Sequence, residues 1–201
     1  MPLSIYDLKH IETPRLIIRP VRLGDEYAIS EAIQATLEDL QRWMPWSKDP
    51  SFATTKAFVK KAHKAWCAQD SDDYPMVVEY KQDNKIICAT GFNEQSQPDN
   101  GLYEIGYWLH KNYQGQGLVS EYVNALTKFA LEVLHAQQVQ ICTQAENVNS
   151  IAVTKRCGFQ LKQVMQNHRI DCLTGKPADS YLFVCNELKQ LSALEVVFKY
   201  F

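Results

Sequence analysis

Apolar positions along the chain repeat with two periods, and the switches between them mark out the elements. Residues 15–21, Arg-Leu-Ile-Ile-Arg-Pro-Val, read as a strand with Pro20 at its end or at an edge position. From Gly24-Asp25 the spacing lengthens to that of a helix through Tyr27, Ala28, Ile29, Ala32 and Ile33. A second, shorter helical piece carries Leu37, Leu40, Trp43 and Met44 and is stopped by Pro45. Asp49-Pro50 reads as an N-cap with proline at the first helical position. The helix it opens carries Ala57, Phe58, Ala62, Ala65 and Trp66 on one stripe.

The middle of the chain alternates instead. Residues 74–81 and 85–92 predict two strands joined by a tight turn at Gln82-Asp83-Asn84. Residues 95–101 form a loop without an apolar residue, and 102–109 (LYEIGYWL) a third strand, interrupted by Gly106. The clearest helix follows, over 118–135, with apolar residues every three to four positions. Next come a strand over 138–145, a short helix over 149–156 and Gly158 as its stop. Strands over 160–167 and 180–186 flank a loop containing Thr174-Gly175-Lys176-Pro177, and the tail from 187 reads as helical. Neither repeats nor linkers divide the chain, so one α/β domain over residues 1–201 is expected.

Composition narrows the function. With 46% hydrophobic and 11% aromatic residues, the 201-residue chain is a folded protein with a sizeable core. No run reaches the ~18 apolar residues of a membrane span, and the start lacks the basic and apolar blocks of a signal peptide. A net charge of −2 argues against a protein that grips nucleic acid by its phosphates. The cysteines at 67, 88, 142, 157, 172 and 185 form no Cys-x-x-Cys pair, and no histidine lies at zinc-ligand spacing. Unpaired thiols, a reducing cytoplasm and no metal are expected.

Two segments carry candidate chemistry. In Gln114-Gly115-Gln116-Gly117, ahead of the long helix, glycines let the backbone turn sharply with its N–H groups facing one point. Joined to the open donors of a helix N-terminus, they suit a pyrophosphate, although an ordinary tight turn has the same sequence. Position 120 is Ser and no Gly-Lys-Ser/Thr follows, so neither the dinucleotide fingerprint nor the Walker loop applies. The second segment, Glu146-Asn147-Val148-Asn149-Ser150, reads as a helix cap that could also border a ligand.

The order EIGYWL, YQGQG, helix, strand, NVNS, KRCGF resembles the GNAT superfamily of acetyl-CoA-dependent N-acetyltransferases. Pro14-Arg15-Leu16, Arg19 and Trp43-Met44-Pro45-Trp46 make it similar to the RimJ/RimL-like branch, the ribosomal-protein N-terminal acetyltransferases, and most to the RimL kind. The likeness covers about residues 12–186, leaving 187–201 as an extension. It implies an α+β (α/β sandwich) fold: a mixed, mostly antiparallel sheet of about seven strands flanked by helices, splayed between the fourth and fifth. It also implies acetyl-CoA as co-substrate.

Carried over by position, the resemblance places the cofactor on Gln114, Gly115, Gln116, Gly117, Leu118 and Val119, with Val119 standing where a small residue is usual. Asn147 and Ser150 would lie near the pantetheine and thiol, and Lys155 would match the Lys-x-x-Gly-Phe that ends the following helix. Lys155 or Arg156 would meet a cofactor phosphate or solvent. A backbone N–H near Trp108 or Leu109 would hold the oxyanion, and pantetheine would lie in the splay. Glu104 is the candidate base, or else an edge or salt-bridged glutamate. The tyrosine acid of many members falls on Thr154, so Ser150 takes that role, with His168 a fallback base. Trp43 and Trp46 would wall the acceptor cleft or pack beneath a lid.

The implied acceptor is the N-terminal α-amine of a ribosomal protein. The alternatives are a small amine (polyamine, amino acid or antibiotic), which would want a closed acidic pocket, and a non-catalytic CoA-binding module. An aromatic-rich surface would be compatible with a homodimer.

Overall fold

The computed structural model describes residues 4–69, 71 and 73–201; residues 1–3, where the segment read for a signal peptide begins, lie outside the described residues. Among the described residues the strands are β1 (Leu8–Glu12), β2 (Leu16–Pro20), β3 (Tyr74–Tyr80), β4 (Lys85–Phe92), β5 (Leu102–Gly106), β6 (Gln138–Gln144), β7 (Gln160–Ile170), β8 (Pro177–Cys185) and β9 (Val197–Tyr200). The helices are α1 (Glu26–Trp43), α2 (Phe52–Ala68), α3 (Leu118–Glu132) and α4 (Val148–Arg156). The strands form one mixed sheet in the order β7-β8-β6-β5-β4-β3-β2-β1-β9. Every neighbouring pair is antiparallel except β5 with β6, which α3 links as a crossover.

Alternation along the strands separates two cores. On β3, Met76 and Val78 pack on the α3 side with Leu118, Tyr122, Leu126 and Phe129. Val77 between them faces the other way, against Ile29, Ile33 and Leu40 of α1 and Val59 and Ala62 of α2. Each large apolar side chain buried in this way contributes about 1.5–3 kcal/mol.

The β5–β6 pair is what makes room for a ligand. Its register runs from Leu102↔Gln138 to Glu104↔Gln140 and then ends, while β6 continues to Gln144. The sheet therefore opens between the fourth and fifth of the expected strands, which β1 renumbers as fifth and sixth. β5 itself stops at Gly106, short of the expected 109.

Several expectations are corrected. The sheet has nine strands because β1 and β9 pair with each other at its edge, with Ile11 opposite Phe198. The tail forms a 3₁₀ turn, Leu188–Gln190, and then β9 rather than a helix. Val197-Phe198-Lys199-Tyr200 has the two-residue period of a strand, and Phe198 lays its ring 5.3 Å from that of Phe129. The two helical pieces after Gly24 are one helix: Thr36 occupies a buried place in the stripe, its hydroxyl accepting from the Lys111 N–H at 2.9 Å. The cap of α2 is Ser51, whose Oγ accepts from the Thr54 N–H at 3.2 Å, with Asp49 bonding the Ser51 N–H and the Thr54 hydroxyl from outside. β7 and β8 each extend about three residues farther into their shared loop than expected.

Candidate active site

The glycine turn after β5 is built to leave backbone donors free. Gly115 and Gly117 both have φ +77°, which a side chain would make costly, and Gly117 caps α3 with no side chain accepting from its first turn. The open N–H groups and the helix dipole face outward together. Side chains here serve other ends. Gln114 Nε2 donates to the Leu109 carbonyl at 3.2 Å and to Asp39 at 3.3 Å, tying the turn to the segment after β5 and to α1. Leu118 is fully buried and Val119 packs against the core, so both offer only their backbone.

Two guanidinium groups flank the turn. Arg15 donates to the Gln116 carbonyl at 3.0 Å and is backed by Glu121, with Nε to Oε2 at 2.6 Å. Arg156 Nε donates to Ser120 Oγ at 3.3 Å. Lys155, by contrast, is exposed and makes no ion pair among the described residues. Uncapped amides and two cations at one helix N-terminus suit a diphosphate. Sequence reasoning missed Arg15 as part of this group; its signal was its place in Pro14-Arg15-Leu16.

At the split in the sheet lies a cavity of about 570 Å³. Ile105 to Trp108 line it from one strand and Ile141 to Gln144 from the other, with Asn147 and Ser150 beyond. Trp43 and Trp46 form its far wall, the Trp46 ring lying 6.3 Å from that of Trp108. Ser47 fixes this wall, its hydroxyl and N–H both donating to the Met44 carbonyl. The Arg42 guanidinium sits 4.3 Å over the Trp43 ring and also pairs with Glu146 and Asp171.

Glu104 lies in the cavity wall at 5% exposure. Its Oε1 accepts from Asn93 Nδ2 at 3.0 Å and its Oε2 from Gln140 Nε2 at 2.8 Å. No cation pairs with it among the described residues, so the salt-bridged alternative does not describe it. Two neutral amides hold its oxygens in place and leave acceptor capacity on each.

Ser150 stands across the split. Its N–H donates to Asn147 Oδ1 at 3.0 Å, so the Asn147 side chain caps α4. Its Oγ lies 2.7 Å from the Tyr107 hydroxyl, which also donates to the Ser150 carbonyl at 3.2 Å. Burial pushes the Tyr107 phenol well up, against the opposing pull of Ser150, so it keeps its proton. Thr154 turns inward and donates to the Ile151 carbonyl at 2.8 Å. A phenol does reach Ser150, but from the end of β5 rather than from α4. Tyr107 was missed because only the tertiary fold brings residue 107 to residue 150.

The remaining positions divide simply. Trp108 lines the cavity with its ring while its carbonyl accepts from the Tyr122 hydroxyl at 2.9 Å. The Trp108 and Leu109 N–H groups have no backbone acceptor among the described residues, and the Leu109 side chain is buried. His168 is exposed on β7 and does not line the cavity. Among the described residues no cluster of His, Cys, Asp or Glu suits a metal, all six cysteines are free, and no helix is long and apolar enough to cross a membrane.

A split sheet beside an uncapped, glycine-turned helix defines an acyl-CoA-binding architecture, and comparison supplies the family. Residues 15–160 match the acetyltransferase (GNAT) domain, and the chain belongs to that family. It is an acetyl-CoA-dependent N-acetyltransferase. The ribosomal-protein-serine acetyltransferase of Escherichia coli (strain K12) is 27% identical over 123 residues, 61% of this chain and 66% of that protein. Among solved structures, RimL, a ribosomal L7/L12 α-N-protein acetyltransferase in complex with coenzyme A, superposes with a TM-score of 0.79 at 21% identity, covering 88% of this chain and 96% of that one. The microcin C7 self-immunity acetyltransferase MccE, in complex with acetyl-CoA and AMP, gives 0.76 at 22% identity, covering 87% and 93%.

Proposed function

We propose that the acceptor is the N-terminal α-amine of a ribosomal protein, with Glu104 as general base and Ser150 as general acid. The observation that carries the assignment is that these two side chains line one cavity from opposite sides of the β5–β6 split. The names of the curated relative and of the RimL structure support the choice of acceptor.

Acetyl-CoA supplies a thioester that only a neutral amine can attack. An α-amine, with a pKa of about 8, is neutral in roughly one molecule in ten at pH 7, whereas a lysine is almost wholly charged. The demand on Glu104 is therefore modest, since it has only to take the amine proton, directly or through one water. The amides around Gly115–Val119, with Arg15 and Arg156, anchor the diphosphate. The Trp108 N–H, without a backbone acceptor among the described residues, supplies the donor that an oxyanion at the split needs. Ser150, polarised by the Tyr107 hydroxyl, gives its proton to the departing sulfur. Trp43 and Trp46 hold the acceptor chain against the wall.

A thiol-release assay with acetyl-CoA tests this against peptides matching ribosomal-protein N-termini, polyamines and free amino acids. Peptide turnover at least about tenfold above the small amines, the range one good contact supplies, is expected. Turnover confined to small amines would replace the acceptor, and CoA binding with no turnover of any amine would leave a binding module.

A further inference from the structure

The cavity holds a second polar cluster that the proposed reaction does not use. Gln144, near the end of β6, lines the cavity at 4% exposure, and its Oε1 has no hydrogen-bond partner among the described residues. Ser180 is its cross-strand neighbour on β8, fully buried, with its hydroxyl bonding the Cys142 thiol. Arg169, from β7, is half-buried and lines the same cavity. It makes no ion pair among the described residues; its guanidinium reaches only the Cys142 thiol, which burial pushes up and Arg169 pulls down.

A buried amide oxygen without a partner and a half-buried guanidinium without a carboxylate are both costly. Of the other charges of the cavity, Glu104 reaches the Cys142 thiol only through its field, its oxygens being bonded by Asn93 and Gln140. Asp73 feels Lys61 and Glu94, and Asp49 bonds Ser51 and Thr54. Asp171 and Glu146, near the Arg169 end, are already held by Arg42. Among the described residues of the lining, Arg169 is left as the cation without a carboxylate beside it.

We propose that Arg169 and Gln144 form an acceptor subsite for a carboxylate adjoining the reacting amine. This rests on the N-acetyltransferase reading of the cavity and deepens it. The acceptor would place its amine toward Glu104 and its carboxylate toward the guanidinium, with the Gln144 amide rotated to donate. Such a carboxylate is supplied by an Asp or Glu side chain close behind a peptide's N-terminal residue, or by the α-carboxylate of a free amino acid.

Two substrate series separate these sources: peptides with Asp or Glu at positions two to four beside their Asn or Gln counterparts, and free amino acids beside their amides. One charge-assisted hydrogen-bond pair should favour the acid about tenfold or more in kcat/KM, carried by KM. Arg169→Gln should bring that ratio near one, while Arg169→Lys keeps most of it. Unchanged acetyl-CoA affinity checks that each variant is folded. A preference among peptides assigns the carboxylate to a side chain, and one confined to free amino acids assigns it to a small acceptor. Equal use of acid and amide by the wild type, or an undiminished preference in Arg169→Gln, would overturn the subsite while leaving the transferase intact. If no amine is turned over, the acceptor reading fails by itself, and calorimetry of the same pairs with CoA present still decides the subsite by the same ratio.

Discussion

The two ends of the site are made from different parts of the polypeptide. At the turn between β5 and α3 the ligand-facing groups are main-chain amides, and the side chains of Gln114, Leu118 and Val119 point into the protein. At the cavity the opposite holds: Glu104, Ser150, Trp43 and Trp46 face the space, drawn from four separate elements. A backbone site tolerates side-chain change as long as its dihedral angles survive, whereas a side-chain site loses function with a single atom. This difference lets one fold keep its acyl donor while acceptors vary, and mutations at the two ends should fail in different kinetic constants.

Glu104→Gln gives the largest effect. The new side chain keeps the shape of the old and one of its two bonds, to Asn93 or Gln140, the other amide having to turn, so kcat should fall by about 10²–10⁴, the usual contribution of a positioned base, with acetyl-CoA affinity unchanged. A kcat within threefold of the wild type would remove Glu104 as base. Gly117→Val acts at the other end. A β-branched residue at φ +77° costs about 1–3 kcal/mol, enough to raise the Kd for CoA roughly 5- to 150-fold in calorimetry. Saturating acetyl-CoA should restore most of kcat; a kcat that stays low would blur the distinction between the two ends.

Tyr107→Phe is subtler, because the phenol acts through Ser150. Losing one hydrogen bond of about 1 kcal/mol should lower kcat roughly fivefold and leave the KM for both substrates alone. Ser150→Ala should lower kcat further, and in that background Tyr107→Phe should add little, since the two hydroxyls form one unit. Full additivity in this double-mutant cycle would show that Tyr107 only packs.

How much of this was legible in the sequence follows from the same contrast. Gly115, Gly117 and the stripe of α3 are local features, and a local pattern announces a backbone site. The split was expected from family resemblance, because the end of β5–β6 pairing depends on a partner strand some 35 residues away. The bond of Tyr107 with Ser150, and the sharing of one cavity by Arg169 and Gln144, join distant segments that no local period encodes. Even the errors in the elements share this cause. Thr36 broke the apparent stripe of α1 because its hydroxyl is paired only when residue 111 arrives, and the short alternation of β9 becomes a strand only against its partner at residues 8–12.

The smallest effect concerns the rim of the cavity. Asp171 begins the loop between β7 and β8, where the Thr174 N–H and hydroxyl and the Arg42 guanidinium hold its carboxyl well below the usual carboxylate range. Because the folded-state value is depressed, the stabilisation is complete above the unfolded value of about 3.9 and is lost only as the pH falls through the lower folded one. Asp171→Asn should therefore lower Tm modestly at pH 7, by about 2–4 °C for a chain of this size, and by progressively less as the pH drops below about 4. Arg42 also stands over Trp43, so the same variant should loosen the aromatic wall and raise the acceptor KM, leaving acetyl-CoA affinity untouched. A change in CoA binding instead would mean that the two ends of the site are coupled through α1, which joins Trp43 at its end to the Gln114 turn by way of Asp39.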